Sequence, residues 1–242
     1  MTLAIMQPYI FPYIGYWQLI NAVDTFVVYD NIQFSKSGWF HRNNILLNGQ
    51  KTLFSIPLKK DSDSLDVVDR FISDEAQKQI NKILAQIENS YRKSPYFKNA
   101  FPLIEGIFNY DEKNLFKYIY NSIIQVCQYL DIKTQIVISS RIDVDQSLIA
   151  QEKVIAINKA LNSTQYINPI GGTELYDTDA FERENIQLNF LESEIPEYKQ
   201  LKGDFIPYLS IIDVLMFNSK EDIKNMLEKY KKSNKGGVSE RH

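Results

Sequence analysis

Leu3 to Met6 is an apolar run ended by Gln7-Pro8, and because the proline blocks helical continuation the chain opens on a short buried strand. From Pro12 onward Ile14, Trp17, Leu19 or Ile20, and Val23 recur at near-helical spacing, and Thr25-Phe26-Val27-Val28-Tyr29 follows as a second, β-branched run. This order predicts strand, loop, helix, strand, a minimal βαβ unit. The handedness of such units places ligand chemistry at the carboxyl ends of the strands, here Gln7 to Tyr13 and Asp30 to Lys36.

Trp39 to Leu47 and Thr52 to Leu58 flank Asn48-Gly49, a dipeptide suited to the positive φ angles of a hairpin turn. Residues 74–92, 96–109 and 112–130 read as three helices, the last with Leu115, Ile119, Ser122, Ile123, Val126 and Leu130 on one face. Together they form a helical insertion over 74–130. Strand and helix then alternate again: a strand at Ile136 to Ile138, a helix at Leu148 to Leu161, and a strand at Gln165 to Ile167. The breaker cluster Asn168-Pro169-Ile170-Gly171-Gly172 precedes a short helix near Tyr176 to Glu184 and a strand from Ile186 to Leu191. Helices around Leu209 to Phe217 and Lys220 to Tyr230 follow, and the polar residues 231–242 are expected to be a disordered tail. The fold class is therefore α/β: one domain over 1–230, a Rossmann-like, mostly parallel sheet flanked by helices, with a β-hairpin and a helical insertion.

Composition narrows the function. With 27 basic and 30 acidic residues the net charge is −3, and no long basic run occurs, so general nucleic-acid binding is not expected, although a local phosphate site stays open. Cys127 is the single cysteine and His41 and His242 are the two histidines, so neither a disulfide framework nor a metal centre is expected. The start lacks a basic segment followed by a long apolar run, and no stretch of about 18 apolar residues occurs, so neither export nor membrane insertion is expected and the protein should be cytoplasmic. Fifteen tyrosines contribute to an aromatic content of 13%, and Tyr in loops both stacks on rings and hydrogen-bonds sugars.

Candidate chemistry concentrates in two early segments. The loop MQPYIFPYIGY supplies Gln7, Tyr9, Tyr13 and Tyr16 as substrate-binding candidates, against the alternative of a rigid aromatic turn. Its Pro12-Tyr13-Ile14-Gly15-Tyr16 spacing is similar to the HxGH signature of nucleotidylyltransferases and class I aminoacyl-tRNA synthetases, with tyrosines at both histidine positions. Tyrosine is seldom charged below its pKa of about 10, which counts against ordinary adenylyl transfer. The second segment places Asp30, Gln33, Ser35, Lys36, His41, Arg42 and Asn43 close together, framed by Phe34, Trp39 and Phe40. His41 is the natural general base near neutrality, Asp30 an alternative, and Lys36 with Arg42 can neutralise a diphosphate. On a regular strand His41 and Asn43 share one face and Arg42 the other, so their convergence needs a bulge or a strand end.

Further along, Ser139-Ser140-Arg141 after the strand QIVI can present hydroxyls and a cation at the same sheet edge, and resembles the ISSTxxR phosphate contact of nucleotidylyltransferases; a plain strand end is the alternative. Gly171 and Gly172 can form an anion-holding nest or an ordinary turn. Cys127 reads as a buried inert thiol, and Asp213, an acid within SIIDVLMF, needs a partner.

With these residues in hand the chain resembles the WbqC-like family of bacterial O-antigen and surface-polysaccharide gene clusters. The resemblance runs from about Leu3 to Tyr230 and is carried by IMQPYIFPYIGYWQLINAVDTFVVYDNIQFSKSGWFHRN, YRKSPYF, LDIKTQIVISS, YINPIGGTELYD and LSIIDVLMF, in family order. It implies a part in making or modifying a sugar precursor, with glycyl transfer to the amino group of a nucleotide-activated aminosugar as one suggestion. That chemistry calls for an activated acyl donor or ATP, a base, and donors for a tetrahedral oxyanion, for which Asp30 or His41 and the Lys36, Arg42, Asn43 group are the candidates. An adenylate-forming enzyme and a non-catalytic sugar-nucleotide binding protein are the alternatives, and the oligomeric state is left open.

Overall fold

The computed structural model describes residues 1–234 and 239–241. Strand β1 (Thr2–Met6), helix α1 (Ile14–Asn21) and strand β2 (Thr25–Val28) form the expected βαβ unit, with Leu3 opposite Thr25 and Met6 opposite Val28 in parallel register. The hairpin β3 (Arg42–Leu47) and β4 (Gln50–Ser55) follows as a separate antiparallel pair. Asn48 and Gly49 take φ angles of 54° and 80° in its turn, as a tight hairpin demands.

The insertion consists of α2 (Ala76–Tyr91), α3 (Phe97–Phe108) and α4 (Leu115–Tyr129). Asn114 caps α4 by accepting from the Lys117 N–H at 3.0 Å, and the apolar face read from the sequence is buried along its length. The chain then returns through β5 (Gln135–Ile138), α5 (Ala150–Ala160), β6 (Gln165–Pro169), α6 (Thr178–Arg183), β7 (Gln187–Ser193), α7 (Ile211–Phe217), α8 (Lys220–Leu227), β8 (Tyr230–Ser233) and β9 (Ser239–Arg241).

The main sheet has the order β5-β2-β1-β6-β7-β8-β9. All pairs from β5 to β7 are parallel, and β8 and β9 add antiparallel strands beyond β7. Strand order reverses at β1, whose neighbours are β2 and β6, so the carboxyl ends around it diverge and leave room for a ligand. Side-chain alternation sorts the core into two layers. Leu3, Ile5, Val27, Tyr166, Leu188 and Phe190 pack with Val154 and Ile157 of α5 and Phe181 of α6. Ala4, Phe26, Val28, Ile138, Ile167 and Leu191 face the other way, against α1, the insertion, α7 and α8.

Two expectations for the end of the chain change. The last helix stops at Leu227, because Gln18 Nε2 draws in the carbonyls of Met226 and Lys229 at 2.9 and 2.8 Å and turns the chain toward the sheet. Residues 231–233, expected within a disordered tail, continue β8 against the otherwise unpaired edge of β7, with Ser233 opposite Phe190, and 239–241 pair with β8. The rest of that tail, 235–238 and 242, lies outside the described residues. Among the described residues no helix is long and apolar enough to cross a membrane.

Candidate functional site

Asp30 lies just past the end of β2 and is 1% exposed. Because β5 is the parallel neighbour of β2, the 3-10 turn Ser139–Arg141 that follows β5 folds onto this carboxylate. Oδ1 accepts from the Ser139 hydroxyl at 2.7 Å and from the Ser140 N–H at 2.9 Å, and Oδ2 accepts from the Ser140 hydroxyl at 2.7 Å. The Asp30 N–H in turn donates to Ser139 Oγ at 3.1 Å. A carboxylate can be buried when donors of this kind replace its water. Oδ2 retains a second lone pair, and Asp30 with Ser140 borders a cleft of about 420 Å³ walled by the rings of Tyr110, Phe116 and Tyr120 and by Lys117 and Arg141.

The network extends toward α5 through partly exposed side chains. Ser139 Oγ also lies 2.6 Å from Asn31 Oδ1, and its single proton serves one acceptor at a time. Asn31 Nδ2 donates to Gln146 Oε1 at 2.7 Å, an oxygen that also accepts from Lys153 Nζ at 2.7 Å. Lys153 is 1% exposed and forms no ion pair among the described residues. Burial lowers its pKa, and the charges of Asp145, Asp66 and Asp30 oppose that shift. Lys153, Gln146 and Asn31 were not anticipated from sequence. The available signal was the position of Lys153 four residues before Ile157, which places a charge on the buried face of α5.

Lys36 and His41 do not border the Asp30 cleft. They line a second cavity of about 610 Å³ with Phe34, Lys59, Lys60 and Arg70. Burial, followed by the charges of Arg42 and Arg70, pulls the pKa of His41 from 6.5 down to about 4, so the ring is neutral near pH 7. Its Nδ1 is buried without a hydrogen-bond partner. The guanidinium of Arg70, 3% exposed, lies 4.4 Å from the centre of the Phe34 ring.

Arg42 does not join Lys36 in a shared phosphate contact. It donates from Nε to the Gly38 carbonyl at 2.9 Å and from Nη2 to the Ser37 carbonyl, closing the turn before β3. Asn43 points into the core and donates to the carbonyls of Ile10 and Phe11, which makes it an anchor for the opening loop. Gln33 is exposed and donates to the Asp63 carbonyl at 3.1 Å.

Within that loop, Tyr16 is buried among Trp17 and Phe26, and its hydroxyl donates to the Gln7 carbonyl at 3.0 Å. Burial raises its pKa well above 10, so the second tyrosine of the HxGH-like spacing faces the core. Tyr9 is half-buried between Tyr16 and Phe40, and half-buried Tyr13 packs toward Tyr208. A Cβ at Gly15 would come within 2.5 Å of both Ser193 Oγ and the Tyr13 ring, so those side chains would have to shift to admit one. Gly171 and Gly172 belong to a 3-10 turn, Ile170–Leu175, after β6; Gly172 is buried against the Asn168 side chain, while Gly171 borders open space. Asp213 finds its partners in Tyr91, Tyr198 and Gln200, and burial raises the Cys127 thiol to about 12.

Among the described residues no group of three His, Cys, Asp or Glu side chains is placed to hold a metal ion. A family model described as the WbqC-like protein family matches residues 7–225. The uncharacterized protein Rv1507c of Mycobacterium tuberculosis is 24% identical over 228 residues, covering 89% of this chain and 92% of its own length. No solved structure matches the chain.

Proposed function

The chain belongs to the WbqC-like protein family, and on that premise we propose that it is a cytoplasmic transferase that modifies a nucleotide-activated aminosugar by N-acyl or glycyl transfer in O-antigen or surface-polysaccharide biosynthesis. The observation that carries this reading is the Asp30 carboxylate, held by Ser139 and Ser140 at the carboxyl edge of a parallel sheet and bordering an aromatic, cation-bearing cleft.

In such a transfer the sugar nitrogen bonds to the acyl carbonyl carbon, the bond from that carbon to its activating group breaks, and the leaving group departs with the electron pair. The amine must also lose a proton. Asp30 Oδ2, with one lone pair uncommitted, is the acceptor we assign to that proton. The Ser140 N–H is spent on Asp30, so the oxyanion of the tetrahedral intermediate falls to Lys117 and Arg141, the cations that line the cleft. Tyr110, Phe116 and Tyr120 offer faces for a sugar or a base.

The test is to incubate the protein with nucleotide-linked aminosugars, activated acyl donors, free glycine and ATP, and to follow product mass. A mass gain on the sugar should appear and should fall by about 100-fold or more in Asp30→Asn. Undiminished turnover in folded Asp30→Asn would sink the assignment of the base. Sugar-nucleotide binding without turnover would favour a non-catalytic binding protein, and pyrophosphate release from ATP an adenylate-forming enzyme.

A further inference from the structure

We propose that the cavity lined by Lys36, His41, Lys59, Lys60 and Arg70 is a binding site for a diphosphate-class oxyanion. The inference stands apart from the transferase reading, because it depends on the placement of cations alone and not on any reaction at Asp30.

Arg70 is the central observation. A guanidinium that is 3% exposed is ordinarily paired with a carboxylate, since an unpaired buried charge is costly. Here Nη1 donates to the Ser62 carbonyl at 2.7 Å and Nη2 to the Lys59 carbonyl at 3.4 Å, and Nε is buried with no acceptor. No carboxylate forms an ion pair with Arg70 among the described residues. Two neutral carbonyls leave the charge itself without a counter-ion. His41 Nδ1 is a second buried polar atom on the same cavity without a partner.

The lysines set the class of ligand. Four cations, Lys36, Lys59, Lys60 and Arg70, line the cavity against one carboxylate, Asp61. Two of them have acidic partners outside it: Lys36 meets Asp63 at 2.8 Å and Lys59 meets Asp74 at 3.0 Å. Those lysine side chains are 77% and 47% exposed, and exposed pairs of this kind are weak enough for a bound anion to replace. A monocarboxylate would leave most of this charge unanswered, whereas a diphosphate offers several oxygens to a planar fork and to point charges at once. About 610 Å³ accommodates a diphosphate, free or within a nucleotide.

Isothermal titration of the full chain at low ionic strength tests this, with inorganic pyrophosphate, a nucleoside diphosphate, inorganic phosphate and acetate as probes. Pyrophosphate should bind saturably and more tightly than phosphate or acetate. Replacing the exposed Lys60 by Ala should weaken it about tenfold, the scale of one charge-assisted hydrogen bond. Arg70→Met should weaken it further if circular dichroism shows the variant folded, and Asp61→Asn should strengthen it. A nucleoside diphosphate that binds more tightly than pyrophosphate identifies a nucleotide as the source; equal affinity identifies the free anion. No saturable pyrophosphate binding, acetate binding as tight as pyrophosphate, or unchanged affinity in Lys60→Ala would each overturn the proposal.

Discussion

Asn43 holds Phe11 by a 2.7 Å hydrogen bond from its side-chain amide to the Phe11 carbonyl, and the same nitrogen reaches the Ile10 carbonyl at 3.0 Å. Phe11 is in the left-handed region, with φ of 46°, a conformation that a bulky residue keeps only where its surroundings impose it. Ser210 Oγ also donates to the Phe11 carbonyl at 2.9 Å, so two segments remote in sequence fix one turn. Asn43→Ala should lower stability by about 2–3 kcal/mol, because buried acceptors lose a donor. Urea denaturation measures it, and a change below the error of extrapolation would show that the clamp is dispensable.

Asp213 joins three parts of the fold. Its carboxylate accepts from Tyr91 of α2 at 2.8 Å, and from Tyr198 and Gln200 of the segment before α7 at 2.7 and 2.9 Å. The Tyr91 oxygen accepts in turn from the Leu46 N–H of the hairpin at 2.8 Å. Burial raises the Asp213 pKa while those three donors oppose the shift. Asp213→Ala leaves several donors unsatisfied and should cost about 3–5 kcal/mol, visible as a large loss in Tm or as insoluble protein. Tyr91→Phe, which keeps the packing and removes one of the three donors, should cost less; an equal loss would show that the Tyr91 hydroxyl carries the whole junction.

His41 makes stability depend on pH in a defined direction. Its folded pKa, about 4, lies below the unfolded value of 6.5, so between those limits the unfolded chain binds more protons. The contribution is fully present above pH 6.5 and is lost as pH falls toward 4, with no further loss below. Comparing urea midpoints at pH 7 and pH 4.5 should show a smaller acid-induced drop in His41→Gln than in the unaltered protein. Identical drops would mean that the imidazole is not shielded.

Gly15→Ala sets two effects against each other. Alanine favours the helix by about 1 kcal/mol. Its methyl would, however, enter space within 2.5 Å of Ser193 Oγ and the Tyr13 ring, and overpacking of this kind costs about 1–3 kcal/mol. Steric cost should prevail, and calorimetry should show a lower Tm. A higher Tm would mean that Tyr13 moves aside freely.

Local patterns made much of the fold readable. Asn48-Gly49 marks its turn because few other dipeptides take positive φ twice, and the apolar stripe of α4 announces its buried face. Asp30 could be picked out as an acid at a strand end, but Ser139 reaches it only because β5 lies beside β2, an adjacency that no local pattern encodes. The dense segment from 30 to 43 held candidates whose convergence needed a bulge or a strand end. Nearby main-chain carbonyls captured Arg42 instead, and Arg70 reached the His41 cavity through a long-range bridge between Leu58 and Ile72. Cations gathered from three separate stretches leave no spacing for a motif to detect.

The sheet's two margins differ in what they offer another chain. Beyond β7 the polypeptide adds β8 and β9 itself. At the opposite margin β5 is only four residues long, and the turn Ser139–Arg141 curls away at once to hold Asp30. An edge this brief is a poor template for strand addition, so the turn that shapes the cleft also discourages copies of the protein from stitching themselves together into aggregates.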